Sequence, residues 1–274
     1  RRAIPSREEP SLRNGPDAPL RGHSVLNPRV IPCLLLSKSG LVKTTRFGSP
    51  KYVGDPINAV RIFNDKEVDE LMVLDIDATR EGRGPDLEQV EQLAGECFMP
   101  LCYGGGIRSF DDAKALFALG VEKVALRSAL LKDPSVLRRI ADHAGEQAVV
   151  ASIDVEKTWL GKRRVRNASG TRDWRLLLRE AVDNGAGEIL LMSVDRDGTM
   201  AGMDLPLIEE ASKLTDVPLI AAGGAGSLDD IGAAVKAGAD AVAAGAFFVF
   251  HGPHRAVLIT YPRYAELKAL WQTG

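Results

Sequence analysis

The chain repeats itself. The run Gly105-Gly106-Ile107-Arg108-Ser109-Phe110-Asp111-Asp112 returns as Gly223-Gly224-Ala225-Gly226-Ser227-Leu228-Asp229-Asp230, 118 positions later, and the same offset relates Glu70 to Glu188, Asp77 to Asp195 and Gly120 to Gly238. Separated motifs that recur at one spacing describe two copies of one structural unit. Eight short apolar runs are spread over the two copies: Val30 to Leu36, Glu70 to Ile76, Pro100 to Tyr103, Lys123 to Leu126, Ala148 to Ile153, Glu188 to Val194, Pro218 to Ala221 and Ala241 to Ala244. Longer amphipathic stretches lie between them, which is the pattern of parallel strands joined by helices. The runs are continuously apolar rather than alternating, as strands covered on both faces require. A length of 274 residues suits one large core. The expected fold is a single (β/α)8 barrel over residues 29–274, made of two half-barrels whose equivalent loops face one another across one mouth. Residues 1–28, rich in Arg, Pro, Gly and Ser with almost no apolar periodicity, are expected to form an extension without stable structure.

Charge narrows the function classes. With 35 basic and 37 acidic residues the formal net charge is -2, so no overall field steers the chain to nucleic acid or to an anionic membrane, and any anion must be gripped locally. No run of eighteen apolar residues and no signal-peptide core are present, so neither a membrane span nor secretion is expected. Cys33, Cys97 and Cys102 have no metal-ligand spacing, and their sparse, odd number fits a reducing, cytoplasmic setting. The four histidines are scattered, and no metal or organic cofactor is implied. Trp159, Trp174 and Trp271 read as packing or loop residues.

In a barrel of this kind the chemistry forms on the loops that follow the strands. Gly104-Gly105-Gly106 follows the third run, and Gly223-Gly224 with Gly226 follows the seventh. Missing side chains expose backbone N–H groups, and each following helix adds its positive end, a combination suited to phosphate; the alternative is that these glycines only make tight turns. Arg127-Ser128 after the fourth run and Gly245-Ala246 after the eighth complete the two sites, one with a guanidinium and a hydroxyl, the other mainly with backbone. Gly106, Arg127 and Ser128 thus form one candidate phosphate site, and Gly224, Gly245 and Ala246 with Asp197 and Gly198 the other. Between them stand carboxylates: Asp154 at the end of the fifth run, Asp195 and Asp197 after the sixth, Asp75 and Asp77 at the second. Proton transfer needs such groups at a desolvated mouth, although aspartates also cap helices. Asp154 is the candidate catalytic residue, and Asp197 has a mixed structural and phosphate-loop role.

Four charges stand at the other end of the runs. Arg29, Glu70, Lys123 and Glu188 open the first, second, fourth and sixth. Charge leading into an apolar barrel is costly unless paired, yet flanking charges at strand starts are common, so the pattern alone leaves a functional ring and a solvated rim both open.

Taken together, Ile31-Pro32-Cys33-Leu34, Gly54-Asp55-Pro56, Leu74-Asp75-Ile76, Gly104-Gly105-Gly106-Ile107, Gly185-Ala186-Gly187-Glu188-Ile189-Leu190, Ser193-Val194-Asp195-Arg196-Asp197-Gly198-Thr199 and Gly223-Gly224-Ala225-Gly226 resemble the HisF family, the cyclase subunits of imidazole glycerol phosphate synthase. The resemblance runs from about Arg29 to Phe250. The sister isomerase of histidine synthesis shares the fold and the repeat, but the Gly-Ala-Gly-Glu-Ile-Leu and Gly-Gly-Ala-Gly forms fit HisF better. It implies a HisH-like glutaminase partner that docks at the bottom of the barrel and releases ammonia, which passes through to a bisphosphate ribonucleotide at the top, where the substrate is cleaved and an imidazole ring closes. Arg29, Glu70, Lys123 and Glu188 then match the family's gate at the docking face. Lys43, with Asp75 and Asp77, falls near the substrate.

The sequence also departs from the family. HisF cyclases use two aspartates, one ending strand one and one ending strand five; Asp154 matches the second, but Leu35 occupies the position of the first, and Arg127 replaces an asparagine at the first phosphate site. The run Leu34-Leu35-Leu36, Leu74-Asp75-Ile76-Asp77-Ala78-Thr79 and His251-Gly252-Pro253-His254-Arg255-Ala256-Val257-Leu258-Ile259 with Tyr261-Pro262 resemble second HisF copies from surface-polysaccharide loci, where the implied role is ammonia supply for acetamidino sugars. Three functions are therefore in play: a diverged paralogue that supports amidation of a surface-sugar precursor, a true cyclase using Asp154 with Asp75 or Asp77, and a non-catalytic subunit that docks and activates its partner. Isomerase activity is a weaker fourth.

Overall fold

The computed structural model describes residues 27–38, 40–166, 172–252 and 254–272. All but the last two residues of the expected extension over 1–28 lie outside them. Eight parallel strands are present: β1 (Arg29–Ser37), β2 (Leu71–Asp75), β3 (Leu101–Gly104), β4 (Lys123–Leu126), β5 (Val149–Lys157), β6 (Glu188–Ser193), β7 (Leu219–Ala222) and β8 (Ala241–Ala244). Each pairs with its chain neighbour, and β8 pairs back onto β1 with Arg29 opposite Ala241 and Pro32 opposite Ala244, which closes the sheet. The fold is a (β/α)8 barrel, as the alternating runs imply.

The apolar runs are continuous because each strand serves two cores. On β1, Ile31, Cys33 and Leu35 belong to an inner cluster with Met72, Cys102, Val150 and Ile220, while Val30, Leu34 and Leu36 join the outer cluster beneath the helices. The main helices are α1 (Pro56–Asp65), α2 (Leu87–Glu96), α3 (Phe110–Ala118), α4 (Ser135–Ala144), α5 (Trp174–Asp183), α6 (Leu205–Ser212), α7 (Leu228–Lys236) and α8 (Tyr264–Gln272). Part of the repeat is a helix start. Ser109 accepts from Asp112 N and Ser227 from Asp230 N, so the shared Ser-x-Asp-Asp satisfies the first free N–H groups of α3 and α7.

The repeat also fixes how closely loops approach. Gly106 has φ +74°, and a Cβ there would lie 2.6 Å from the Gly84 carbonyl carbon; Gly224 has φ +105°, and its Cβ would lie 2.2 Å from Gly202 O. Gly84 and Gly202 are themselves 118 positions apart, so the two halves repeat their packing as well as their motifs.

Two features depart from the expected elements. The strand Gly40–Thr45 turns back onto the end of β1, with Leu35 opposite Val42, and pairs in turn with Gly48–Gly54. Gly48–Gly54 is mostly exposed and Gly40–Thr45 mixes apolar with polar residues, so the apolar-run criterion passes over the arm. In addition, β5 continues four residues past Ile153 and pairs with Arg163–Val165, which places Asp154 inside the strand rather than at its end.

Replacing Gly224 with Ala forces a side chain into the left-handed region and against Gly202 O. The expected loss is about 2 kcal/mol or more, read as a lower urea midpoint at unchanged m-value. An unaltered midpoint would show that the loop yields freely.

Candidate active site

The C-terminal ends of the strands surround a cavity of about 480 Å3. Lys43, Asp75, Gly106, Arg127, Ser128, Asp154, Asp197, Gly198, Gly224, Gly245 and Ala246 all line it. Asp77 is buried beside the cavity instead, where it accepts from Ser37 Oγ at 2.7 Å and pairs with Arg80. Contrary to the substrate-proximal place expected for it, Asp77 lies outside the cavity lining and its side chain fastens β1 to the loop after β2.

The remaining carboxylates differ in how far local bonds occupy them. Asp75 Oδ1 accepts from Asp77 N and Ala78 N, both at 2.9 Å, and Oδ2 meets Arg83 Nη1 at 2.8 Å, so its loop already satisfies both oxygens. Asp195 accepts from Lys157 N at 2.7 Å and ties the β5 arm to the loop after β6. Asp197 is buried and clamps the β1 arm: Oδ1 receives Lys43 Nζ at 2.8 Å, Oδ2 receives Thr44 Oγ1 at 2.9 Å and Phe47 N at 3.3 Å, and its carbonyl receives Arg46 N at 2.9 Å. Lys43 reaches Asp197 by lying over Gly245, where a Cβ would come within 3.2 Å of its Cδ and Cε.

Asp154 is buried, with its Oδ2 paired to Arg127 Nε. Burial pushes its carboxyl above the usual range, and the Arg127 guanidinium opposes that rise. Leu35 and Leu74, register partners on β1 and β2, contribute apolar wall to the same cavity. The mouth therefore has one carboxylate set among apolar side chains, held by one guanidinium. Cys33 also reaches the cavity, but burial pushes its thiol up to about 12, so it stays neutral and is a poor nucleophile.

Thr44, Phe47 and Arg80 line the cavity and were not singled out from sequence. Arg166 stacks over the Phe47 ring at 5.4 Å, linking the two arms across the rim. Lys43 beside Thr44 was the one sequence signal pointing to this arm.

At the opposite end the four charges form a closed ring. Arg29 pairs with Glu70 and, at 3.0 Å, with Glu188; Lys123 meets Glu70 at 2.8 Å and Glu188 at 3.1 Å. Both glutamates are buried. Burial works against the Arg29 charge, but Glu188 and Glu70 raise its pKa above the ordinary value. The ring is thus an alternating, neutral lattice at the base of an apolar bore, not a rim of solvated side chains.

A model of the histidine biosynthesis protein family matches residues 29–253. The chain belongs to the HisF family of imidazole glycerol phosphate synthase subunits. It is 55% identical over 247 residues to a provisionally named imidazole glycerol phosphate synthase subunit hisF2 of Pseudomonas aeruginosa, covering 87% of this chain and 97% of that one. A provisionally named HisF subunit of Leptospira interrogans is 47% identical over 253 residues, 90% of this chain and 100% of its own. The HisF subunit of Hyphomonas neptunium is 44% identical over 231 residues, 82% of this chain and 91% of its own. Among the described residues, no helix of this HisF-family barrel is long and apolar enough to cross a membrane.

The clamp at Asp197 is open to a double-mutant cycle. Lys43→Met leaves a buried carboxylate without its cation and is expected to cost about 3 kcal/mol; adding Asp197→Asn should recover part of that loss. Strictly additive losses in chemical denaturation would show that the two groups do not act together.

Proposed function

We propose that this chain is a diverged HisF paralogue that takes ammonia from a HisH-like glutaminase docked on the ring of Arg29, Glu70, Lys123 and Glu188. It delivers that ammonia toward a two-phosphate ligand in the mouth, in support of amidating a surface-sugar precursor. The carrying observation is Leu35. It lines the cavity where the HisF resemblance puts an aspartate, and neither neighbouring carboxylate takes over: Asp75 is saturated by Arg83 and two backbone N–H groups, and Asp77 lies outside the cavity. Closing an imidazole ring needs protons both removed and supplied, and each general acid–base group contributes roughly 10² to 10⁴-fold. Asp154 alone provides one such group. What the delivery role needs is retained: the four-charge ring is closed, and the residues of both phosphate loops line one cavity. The surface-sugar assignment draws on the Leu34-Leu35-Leu36 run and the His251 to Ile259 segment, while the hisF2 name of the Pseudomonas aeruginosa relative supports a second-copy reading alone.

The purified barrel with a HisH-type glutaminase and the bisphosphate ribonucleotide of HisF enzymes tests this. Glutamine should be hydrolysed while imidazole glycerol phosphate forms about 100-fold more slowly. Leu35→Asp should raise ring formation on the order of tenfold or more. Ring formation by the wild type that keeps pace with glutamine hydrolysis would overturn the proposal.

A further inference from the structure

Two carboxylates of the second half each hold a first-half cation at the mouth, but on different terms. Asp197 has Thr44 Oγ1 and Phe47 N as well as Lys43. Arg127 is the one ion-pair partner of the Asp154 carboxylate among the described residues. Arg127 also has no counterpart across the repeat, because the position 118 residues later is Gly245.

Two of the three guanidinium nitrogens of Arg127 are engaged, Nε with Asp154 and Nη2 with the Arg166 carbonyl at 2.8 Å. Nη1 and the second hydrogen of Nη2 have no partner among the described residues, so an anion seated there competes with Asp154 for the same guanidinium. The Arg127 side chain is part-exposed at the cavity, next to Ser128 and in the same lining as Gly106, whereas Asp154 is buried. We infer that Arg127 is a ligand-operated latch: an anionic group seated against Gly106 and Ser128 draws the guanidinium off Asp154 and leaves that carboxyl free beside the ligand. Arg127 is a positioning residue in this scheme, acting through Asp154. The inference rests on the reading of the mouth as a two-phosphate site.

A proton follows the exchange. The charged groups facing Asp154 are Arg127 on β4, Arg166 after the Arg163–Val165 strand, and Asp197, which is itself paired with Lys43. Burial already favours the neutral acid, and Arg127 is the larger opposing influence. Moving Arg127 onto an incoming anion removes that opposition and adds negative charge nearby, so both changes favour protonation. Anion binding then takes up a proton, and affinity rises as pH falls.

Sulfate is a suitable probe, since it stays dianionic across the neutral range and does not itself titrate. Calorimetric titrations in buffers of different ionisation enthalpy should show the wild type taking up protons as sulfate binds beside Gly106 and Ser128. Asp154→Asn should bind sulfate there on the order of tenfold tighter, without proton uptake, because the competing carboxylate is gone. Arg127→Asn should bind more weakly and also lose the uptake. Sulfate at Gly224 and Gly245 should respond to neither change. Unaltered affinity and unaltered proton uptake in Asp154→Asn would overturn the latch while leaving the phosphate reading intact. Absence of sulfate binding in all three proteins would overturn both. If Asp154→Asn fails to give a native circular dichroism spectrum, Arg127→Asn decides alone: retained proton uptake contradicts the latch.

Discussion

The interior of this barrel is apolar, and each carboxylate that reaches it is matched by a cation. At the base, Glu70 and Glu188 share Arg29 and Lys123; at the mouth, Asp197 has Lys43, Asp75 has Arg83 and Asp154 has Arg127. Such pairs add little net stability over apolar packing, but removing one partner is severe, because the other is left buried and charged. The charges that survive are therefore constrained to specific geometries. The arm after β1 depends on the same principle through Lys43 and Asp197, whereas the β5 arm is tied to Asp195 by a backbone N–H.

The near-symmetry of the halves makes their differences informative. Both supply glycine loops with matched packing, but the cations of the cavity lining, Lys43, Arg80 and Arg127, all come from the first half. Lys43, on the arm after β1, is committed to Asp197, a carboxylate with several other partners. Arg127, just after β4, is held by the buried Asp154 beside the loop of Gly106 and Ser128. A ligand whose two ends differ would meet a fixed site and a responsive one. Leu35 contributes apolar wall where the HisF resemblance puts an aspartate.

Much of this was readable from residue order. The 118-residue offset, the eight apolar runs and the strand-end glycines locate the barrel, its mouth and nearly all of its lining, because strand direction alone fixes which loops meet. The arms were not readable. Gly48–Gly54 is mostly exposed and Gly40–Thr45 mixes apolar with polar residues, so neither makes an apolar run, and part of what holds the arm is the distant Asp197. Asp77 was misplaced for a related reason: a loop residue two positions from Asp75 turns to the opposite side, toward Ser37. The four charges at the base were equally consistent with a solvated rim until their distances were known. Pairing of Arg127 with Asp154 joins two strands through side-chain rotamers, which no spacing rule reveals.

On the proposed function, this barrel keeps the ammonia-delivering base and the two-phosphate mouth of a HisF subunit and lacks ring closure. Growth measures it most directly: a histidine auxotroph lacking only its cyclase subunit is given this chain in soluble form. The account predicts no growth without histidine. Sustained growth on minimal medium, at a rate near that given by an authentic HisF subunit, would contradict it.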